Sequence, residues 1–369
     1  MKRTQLFDYH RQNGKLTEFA GYEMPLWYSS ISEEHLAVRN DCGIFDVSHM
    51  GRFTIRGKDA SALVEGLVPT NVQSQQVGKA FYTLLLNARA GIIDDLIFVR
   101  KGEEEFLAVV NAANTDRDLA HMKMQAAGKE VEVEDETSSS AMIALQGPRA
   151  ADALAPLTGI DLTSLKRFRS ADGEVLGNRC TVSRTGYTGE DGFEIIVGDT
   201  TAEEPHRALS VWNALAKSAK PCGLGARDSL RLEAGYPLHG SDIDEKTNPF
   251  EAGLSWVLSA GKTGYVGSEA VSQIRAGPPS VVTKGIVLDK GIPRHGFEVL
   301  DKSAKIGTVT SGTFSPILKK GIALAKVKAG VADSETPWVV VRDTKSSGRF
   351  AKPPFYDEKL YGWKRSTGK

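Results

Sequence analysis

Two adjacent aspartates stand in the middle of an apolar run, GIIDDLIF at residues 91–98. A run of this length and composition is typical of a strand packed into a core. A carboxylate buried there without a partner costs several kcal/mol, so it must be paired, hydrogen-bonded or protonated. Side chains alternate along a strand, and Asp94 and Asp95 therefore point to opposite faces. Alternation places Asp95 on the face of Ile93 and Ile97, so the fold must hold a carboxylate against an apolar layer.

The charges of the chain are balanced. Among 369 residues, 46 are Lys or Arg and 46 are Asp or Glu, which gives a formal net charge of zero. This balance argues against a general electrostatic affinity for nucleic acid. No apolar run approaches the roughly 18 residues that a membrane-spanning helix needs, and polar residues interrupt the opening segment before a signal-peptide core forms. We expect no nucleic-acid partner, no membrane, and a cytoplasmic location, or the mitochondrial matrix if the chain is a processed one.

The three cysteines, Cys42, Cys180 and Cys222, are odd in number and far apart. They fit a reducing compartment and form neither a disulfide framework nor a CxxC metal pair. The histidines show no spacing typical of a metal site. The sequence therefore predicts no bound metal.

Short strands mixed with helices run through the first three quarters of the chain. The segments 79–87 and 91–100 flank a short link, which predicts a β-hairpin. Helix signals place one N-terminus at Ser32 and another helix over residues 224–234. Because strands cluster and do not alternate strictly with helices, the pattern favours an α+β class over a doubly wound sheet.

The segment AGPPS at residues 276–280 predicts a linker. Four short strand patterns with glycine-bearing turns follow it, which are KGIVLD, KIGTVTSG, GIALAKV and WVVVRD. This spacing is typical of a small β-barrel or sandwich.

The segment SRTGYTGEDGFEI at residues 183–195 interleaves glycines with charged and aromatic side chains. Glycine permits sharp turns and close backbone approach to a ligand. The segment is therefore either an ordinary β-turn or a loop in which Tyr187 and Glu194 contact an amine-rich heterocycle.

The helix within GLGARDSLRLEAG, residues 223–235, places Arg227 and Arg231 on one face. Two interpretations stay open for this face. It is a salt-bridged surface, or an arginine pairs in bidentate geometry with a ligand or with a carboxylate such as Asp95 or Glu194.

Ten ordered motifs, which extend over nearly the whole chain, resemble those of the T-protein of the glycine cleavage system. They are AGYEMPLWY, GIFDVSHMG, GIIDDLIF, VVNAAN, LQGP, SRTGYTGEDGFE, GLGARDSLRLEAG, NPFEAGLSW, TSGTFSP and KPPFY. The resemblance implies aminomethyltransferase activity. The lipoylated H-protein would bring an aminomethyl group, tetrahydrofolate would accept its one-carbon unit, and ammonia, methylene-tetrahydrofolate and dihydrolipoyl H-protein would be released.

The resemblance also implies an architecture. It is an α+β, three-domain cloverleaf around a central hole, with two mixed α/β folate-binding lobes and a C-terminal β-barrel-like domain. The folate-binding region would occupy residues 1–275, with one lobe formed by 1–50 and 140–275 and the other by 51–139. The barrel domain and tail would occupy 281–369.

The resemblance further assigns roles to nine residues. Asp95, the second aspartate of the DDL motif, would be catalytic. Tetrahydrofolate would contact the other eight, which are Met50, Tyr82, Asn111, Tyr187, Glu194, Arg227, Tyr236 and Tyr361. Members of the family differ at the last position, and Gly362 occupies the alternative register there.

The chemistry that we expect from Asp95 is electrostatic and proton-transferring. Its charge would stabilise a cationic, iminium-like carbon as that carbon leaves sulfur, or it would deprotonate a folate nitrogen. Burial would raise the pKa of Asp95 unless Arg227 or a ligand nitrogen compensates. Asp94 is expected to face away, to meet backbone amides or solvent, and to tolerate replacement by Asn.

Two other functions would use a similar folate pocket. The first is a tetrahydrofolate-dependent demethylase of a small methyl donor. The second is a non-enzymatic factor for iron–sulfur assembly, whose group resembles K-G-C-Y-x-G-Q-E and has a cysteine where this chain has Thr185-Gly186-Tyr187. The completeness of SRTGYTGEDGFE and GLGARDSLRLEAG favours the T-protein over both.

Overall fold

The structure, a computed structural model, describes residues 1–331, 335–342 and 344–365. Its helices, in chain order, are α1 (Phe7–Asn13), α2 (Ile31–Asn40), α3 (Ala60–Leu67), α4 (Thr115–Ala126), α5 (Ala150–Leu154), α6 (His206–Leu215), α7 (Leu224–Ala234) and α8 (Ser268–Arg275). Its strands are β1 (Lys15–Phe19), β2 (Tyr22–Trp27), β3 (Gly43–Asp46), β4 (Gly51–Arg56), β5 (Ala80–Leu86), β6 (Ile92–Arg100), β7 (Glu105–Val110), β8 (Glu132–Asp135), β9 (Ala141–Gln146), β10 (Ser170–Val175), β11 (Asn178–Ser183), β12 (Gly192–Val197), β13 (Lys220–Pro221), β14 (Val281–Leu288), β15 (Glu298–Asp301), β16 (Ala304–Ser315), β17 (Lys320–Lys328), β18 (Pro337–Val341) and β19 (Thr344–Phe350).

The first large sheet has five strands in the order β5-β6-β7-β4-β8. Strands β5 and β6 form the hairpin that the sequence predicts. Apolar side chains of α3 and α4, among them Leu63, Leu67 and Met122, join the core on one face of this sheet. The helices therefore leave the opposite face free to turn toward the rest of the molecule.

The pairing of β5 with β6 skips Ile93, which lies between the partners of Leu85 and Leu86. Such a bulge reverses the alternation of side chains at one point of a strand. Ile93 packs in the same apolar layer as Phe98, and the expectation that it shares a face with Asp95 is wrong for that reason.

The second large sheet has six strands in the order β10-β11-β12-β9-β3-β13. Its core includes the fully buried Trp212 of α6 and Phe193 of β12. Strand β12 is central, and its Glu194 pairs with Ser183 on one side and Ala144 on the other. A carboxylate on a central strand is held on a rigid element.

The third sheet is a closed six-stranded barrel in the order β14-β17-β16-β15-β18-β19. This barrel confirms the predicted β-rich C-terminal part, and the whole arrangement confirms the α+β class. The three sheets fall within the predicted segments, and the exact domain limits stay a prediction.

Helix α7 packs against all three of these sheets, and a fourth, two-stranded sheet of β1 and β2 also contacts it. Its Ala226 and Leu230 lie in the core that joins the two large sheets, and its Leu232 packs with Ile322 of the barrel. The helix has the limits that the sequence predicts and ends at Gly235, which adopts a left-handed conformation with φ of 80°. For α2 the cap differs from the prediction, because Ser30 and not Ser32 accepts the Glu33 backbone N–H, at 3.3 Å.

A buried ion network fixes α7 to the barrel and to α2. The fully buried carboxylate of Glu233 accepts hydrogen bonds from Arg39 Nε at 3.0 Å, His35 Nε2 at 2.9 Å and Ser315 Oγ at 2.5 Å. These bonds and charges hold the pKa of Glu233 below its usual range, although burial alone would raise it.

Replacing Glu233 with Ala is expected to lower the free energy of unfolding by about 3–5 kcal/mol. The reason is that the buried donors of His35 and Ser315 lose their acceptor and the buried cation of Arg39 loses one of its counter-charges. Urea denaturation of both proteins measures this difference. The exposed Glu269 of α8 provides the control, since Glu269→Ala removes an acid that contacts solvent. Equal losses in the two variants would contradict the role given to this network.

Within the described residues, no helix combines the length and the apolar character that crossing a bilayer requires.

Candidate active site

One cavity of about 650 Å³ lies between the three sheets. The first sheet contributes Asp95 and Tyr82, the second contributes Glu194, and α7 contributes Arg227. The barrel strands β14 and β17 and the C-terminal tail close the remaining side. A volume of this size suits a drug-sized ligand.

Asp95 reaches the cavity from the point where β6 extends past the end of β7. The last pair between these strands on this side joins Ile97 to Val109, and Asn111 follows directly after β7. Asn111 Nδ2 therefore lies near the unpaired part of β6 and donates to Asp95 Oδ1 at 2.9 Å and to the Asp95 carbonyl at 2.9 Å. The Tyr82 hydroxyl of β5 donates to the other carboxylate oxygen at 3.0 Å.

The pKa of Asp95 is raised to about 7. Burial is the largest cause, and the negative charge of Asp94 is the second. The hydrogen bonds from Tyr82 and Asn111 act in the opposite direction, because they stabilise the ionised form. A carboxyl group with a pKa near neutrality is suited to general acid–base work.

Asp95→Asn is expected to change how stability depends on pH. An unfolded aspartate titrates near 4, so between about pH 4 and 7 the folded protein binds a proton at Asp95 that the unfolded chain has lost. The free energy of unfolding of the parent protein therefore falls as pH rises through this window, and above it the penalty is constant. Asn does not titrate. The melting temperature of the variant minus that of the parent should therefore increase from about pH 5 to about pH 8.

Thermal melts of the two proteins at a series of pH values measure this effect. Asp116→Asn, which alters an exposed acid of α4, serves as the control and should follow the parent curve. Parallel curves for Asp95→Asn and the parent would show that the pKa of Asp95 is not raised.

Asp94 was expected to meet backbone amides or solvent, and its side chain is fully buried, away from solvent. It accepts from the Asn111 backbone N–H at 3.0 Å, from Asn111 Nδ2 at 2.8 Å and from Asn114 Nδ2 at 2.5 Å. The backbone amide partner was expected, and the two side-chain amides were not. Asn at this position would turn an NH₂ group toward donors, so the expected tolerance of Asp94→Asn is no longer supported.

Elements other than β6 bring one acceptor and one unpaired donor to the cavity wall. Glu194 Oε2 accepts from Thr185 Oγ1 at 2.5 Å. The buried Nη1 of Arg227 has no hydrogen-bond partner among the described residues, and Nη2 lies 3.7 Å from Met50 Sδ. Burial lowers the pKa of Arg227, and the nearby charge of Glu194 acts in the opposite direction. Arg227 lines the cavity and its guanidinium lacks a protein acceptor, so a ligand bound there is the expected acceptor of its hydrogen bond.

The two arginines of α7 differ, and each follows one of the two interpretations left open by the sequence. Arg231 forms ion pairs with Asp228 at 2.7 Å and Asp242 at 2.8 Å. Arg227 forms no ion pair within the described residues and instead lies 4.9 Å from the centre of the Tyr187 ring. The salt-bridge interpretation therefore fits Arg231, and the ligand interpretation fits Arg227.

Aromatic rings form much of the remaining surface. The rings of Tyr187 and Tyr236 are 5.8 Å apart at a tilt of 31°, and the Tyr187 hydroxyl donates to the Pro237 carbonyl. On the other side, Tyr82 stacks on Trp256 with centroids 5.5 Å apart. The cavity thus offers flat apolar faces on two sides.

Eight of the nine residues assigned from the sequence line this cavity, and Tyr361 does not. Tyr361 lies edge-on to Tyr356, at 6.5 Å between ring centres. Trp363, two residues further on, lines the cavity, and its ring lies 4.6 Å from the Arg167 guanidinium. The functional roles of all nine residues stay predictions.

Sequence reasoning missed eight polar or aromatic residues of the cavity wall, which are Arg167, Phe168, Thr185, Asp242, Trp256, Thr283, Lys352 and Trp363. Two signals were present. The motif NPFEAGLSW ends on Trp256, and the tail KPPFYDEKLYGWKR is rich in aromatic residues, which are rare in disordered segments. Neither signal told which side chain would face the cavity.

Within the described residues, no group of three or more His, Cys, Asp or Glu side chains is arranged to hold a metal ion.

Three sheets surround one cavity that presents a carboxyl group with a raised pKa and an unpaired guanidinium, an arrangement expected of an enzyme that acts on a bound ligand. Comparison with known proteins gives its class. The GCVT N-terminal domain matches residues 6–262, and the glycine cleavage T-protein C-terminal barrel domain matches residues 283–357.

An aminomethyltransferase of Thermus thermophilus is 46% identical over 331 residues, which cover 89% of this chain and 92% of the relative. One from Geobacillus kaustophilus is 44% identical over 366 residues, covering 96% and 99%. The crystal structure of glycine cleavage system aminomethyltransferase T from Bartonella henselae superposes with a TM-score of 0.90 at 33% identity and covers 98% of this chain and 99% of its own. The chain therefore belongs to the glycine cleavage T-protein family of aminomethyltransferases.

Proposed function

We propose that this enzyme releases ammonia from the aminomethyl-lipoyl arm of an H-protein and transfers the one-carbon unit to tetrahydrofolate. The products are methylene-tetrahydrofolate and dihydrolipoyl H-protein. The observation that carries the proposal is that one cavity is lined by Asp95, by the Glu194 carboxylate and by Arg227, whose Nη1 has no partner among the described residues.

The wall formed by Glu194 and Arg227 suits the edge of a reduced pterin. That edge presents N–H donors and a carbonyl acceptor side by side. Glu194 has a second carboxylate oxygen beyond the one that Thr185 occupies, and charge-assisted bonds from paired N–H groups suit a carboxylate. The Arg227 guanidinium, which lines the cavity and has an N–H without a protein acceptor, would donate to the carbonyl.

The tyrosines would hold the rest of tetrahydrofolate. Tyr187 and Tyr236 lie next to Arg227 and present their rings to the cavity. Met50 extends this apolar surface beside the guanidinium. Aromatic faces of this kind bind flat rings with little loss of side-chain entropy.

Asp95 would act on the carbon that moves. As the carbon–sulfur bond of the donor breaks, positive charge develops on the carbon, and a fixed carboxylate stabilises that charge. Tyr82 and Asn111 hold both oxygens of Asp95, so the carboxylate does not need to reorganise during the reaction. The ionised form is the active one in this step, and the raised pKa makes the rate depend on pH near neutrality.

Apolar side chains around Asp95 would keep water from competing for the activated carbon. Leu96 is buried, and Ile97 and Val109 line the cavity beside Asp95. A site of low polarity also strengthens the attraction between the carboxylate and the developing charge.

The test is an assay with H-protein that carries aminomethyl-lipoate, in the presence and absence of tetrahydrofolate, following ammonia release. We expect ammonia and methylene-tetrahydrofolate in equal amounts when both substrates are present. Turnover of small methyl donors, with none of the H-protein substrate, would replace the proposal with a demethylase. Folate binding without any turnover would support a non-enzymatic factor.

The bacterial relatives, which match along nearly their whole length, also support a cytoplasmic location for this enzyme, and we propose it on that ground.

A further inference from the structure

A second buried acid lies behind the cavity. Asp118 of α4 has a fully buried side chain, and neither of its carboxylate oxygens has an N–H or O–H donor among the described residues. Asn114, whose Nδ2 donates to Asp94 Oδ1 at 2.5 Å, stands at the start of α4, one helical turn before Asp118. The helix therefore brings Asp118 close to Asp94, and the charge of Asp94 acts on it. Two ionised carboxylates are both acceptors, so a hydrogen bond between them exists only when one of them carries a proton.

The proton belongs on Asp118. Asp94 is surrounded by donors from Asn111 and Asn114, and each of them favours an ionised acceptor. Asp118 has no such donors. In agreement, the pKa of Asp118 is raised to about 10, first by burial and then by the charge of Asp94 and the hydrogen bond to it.

Other charged groups near the pair do not neutralise Asp118 directly. The Arg117 guanidinium donates to the Ile93 carbonyl at 2.5 Å and to Asn114 Oδ1 at 2.8 Å, and it pairs with Glu245. Its positive charge only partly opposes the rise in the pKa of Asp118.

Two histidines stand close to this region. Burial lowers the pKa of His121, whose Nε2 has no partner among the described residues. His239 Nδ1 lies 3.0 Å from Asn114 Nδ2, and its Nε2 lies 3.2 Å from the Ile92 carbonyl. Neither histidine contacts the Asp118 carboxyl through a hydrogen bond.

The pair formed by Asp94 and Asp118 connects to Asp95 through a single side-chain amide, that of Asn111. Asn111 Nδ2 lies 2.8 Å from Asp94 Oδ1 and 2.9 Å from Asp95 Oδ1, so it donates to both carboxylates. Any movement of Asp94 displaces this amide and with it one of the bonds that fix Asp95. Any change in the charge of the pair also acts on Asp95, which Tyr82 and Tyr187 face from the cavity side.

We propose that Asp118 is a positioning residue. It stays protonated while the enzyme works, and its O–H donates a hydrogen bond to the Asp94 carboxylate. The two acids together then carry a single negative charge behind Asp95. This inference rests on the catalytic role proposed for Asp95. In this proposal Asp94, Asp118 and Asn111 form one hydrogen-bond network that sets both the orientation and the protonation of the Asp95 carboxylate.

The first experiment compares the pH dependence of kcat/KM for three variants in the H-protein assay. Asp118→Ala removes the donor, so the single negative charge of Asp94 is no longer dispersed by this hydrogen bond and its side chain is freer to move. We expect kcat/KM to fall at least about tenfold, since small displacements of a reacting group are costly. The acid limb should also move to higher pH by about half a unit or more, because a less dispersed like charge raises the pKa of Asp95.

Asp118→Asn is the conservative rescue, because its amide N–H replaces the carboxylic O–H without changing the charge. The acid limb should stay at the parent position, with kcat/KM recovered to within about threefold of the parent. If Asp118 were ionised in the parent, the same variant would remove a charge and move the acid limb to lower pH by about one unit. That result would overturn the proposal.

The second experiment does not depend on activity. Infrared difference spectra between parent and Asp118→Asn, recorded at about pH 8.5, where Asp95 is ionised and Asp118 is not, should show the loss of one carboxylic-acid carbonyl band. Asp116→Asn, on the exposed side of α4, should lose no such band. Absence of the band in the parent would overturn the proposal even in a fully active enzyme. If the transferase assay fails but the band is present, the protonated acid stands and the proposed function does not.

Discussion

Asp95→Asn is expected to lower kcat/KM for one-carbon transfer by about 10²–10⁴-fold, with little change in the affinity for tetrahydrofolate. The substitution keeps the shape of the side chain and one acceptor for the Tyr82 hydroxyl. It removes the negative charge that would face the developing cation. The loss should therefore appear in the rate of the chemical step and not in folate binding.

Single-turnover release of ammonia from aminomethylated H-protein measures the rate, and calorimetry with tetrahydrofolate measures the affinity. Asp116→Asn is the control, since it removes an acid of the same kind from the exposed face of α4. A variant that keeps its rate within a few-fold of the parent would remove Asp95 from the catalytic role.

The parent enzyme should lose activity below about pH 7, where Asp95 takes up a proton. The Asn variant should lack this acid limb, because no titrating group remains at the position. If activity fell at the same acidic pH in the parent and in Asp95→Asn, another group would control the pH dependence.

Much of this architecture follows from local sequence signals. Helix α7 has its predicted limits because Gly235 at its end adopts the left-handed conformation that favours glycine. The hairpin of β5 and β6 and the C-terminal barrel follow from strand patterns broken by turn residues. Such signals act over a few residues, so they can be recognised without knowing the tertiary contacts.

The predictions from sequence failed where contacts between distant parts of the chain determine the orientation of a side chain. The bulge at Ile93 reverses the alternation of β6, and no local pattern in GIIDDLIF indicates it. Asp94 was expected to meet backbone amides or solvent, and it does accept from the Asn111 backbone N–H. It is buried, however, and it also accepts from the Asn114 side chain, which is separated from it by more than a whole strand. Trp363 reaches the cavity because its backbone N–H donates to the Gly189 carbonyl at 3.0 Å, a contact across half the chain.

The spacing of residues alone left open which arginine of α7 contacts a ligand, and the resemblance to the T-protein family indicated which one. Periodicity placed Arg227 and Arg231 on one helix face but could not separate their roles. The family motif singled out Arg227, and the structure shows Arg231 occupied by Asp228 and Asp242 while Arg227 faces the cavity. A residue that lacks a protein partner in a buried place is the clearer sign of a ligand site.

Glu194→Ala is expected to weaken tetrahydrofolate binding by about 10²-fold or more. Hydrogen bonds to a charged group contribute about 1.5–3 kcal/mol each, and a hundredfold change in Kd corresponds to about 2.7 kcal/mol. Loss of two such bonds to the pterin, partly replaced by water, therefore accounts for an effect of this size. The rate at saturating folate should fall less than the affinity, because Glu194 is assigned to binding and not to the transfer step.

Two further variants make the result interpretable. Glu194→Gln keeps the shape and one oxygen for Thr185 while it removes the charge, so its affinity should lie between those of Glu194→Ala and the parent. Glu174→Ala removes an exposed acid from β10 of the same sheet and should bind folate like the parent. Because the alanine variant also leaves the buried Arg227 without its nearest negative charge, each protein is melted alongside the calorimetry. A folded Glu194→Ala enzyme that binds tetrahydrofolate as tightly as the parent would mean that the pterin lies elsewhere in the cavity.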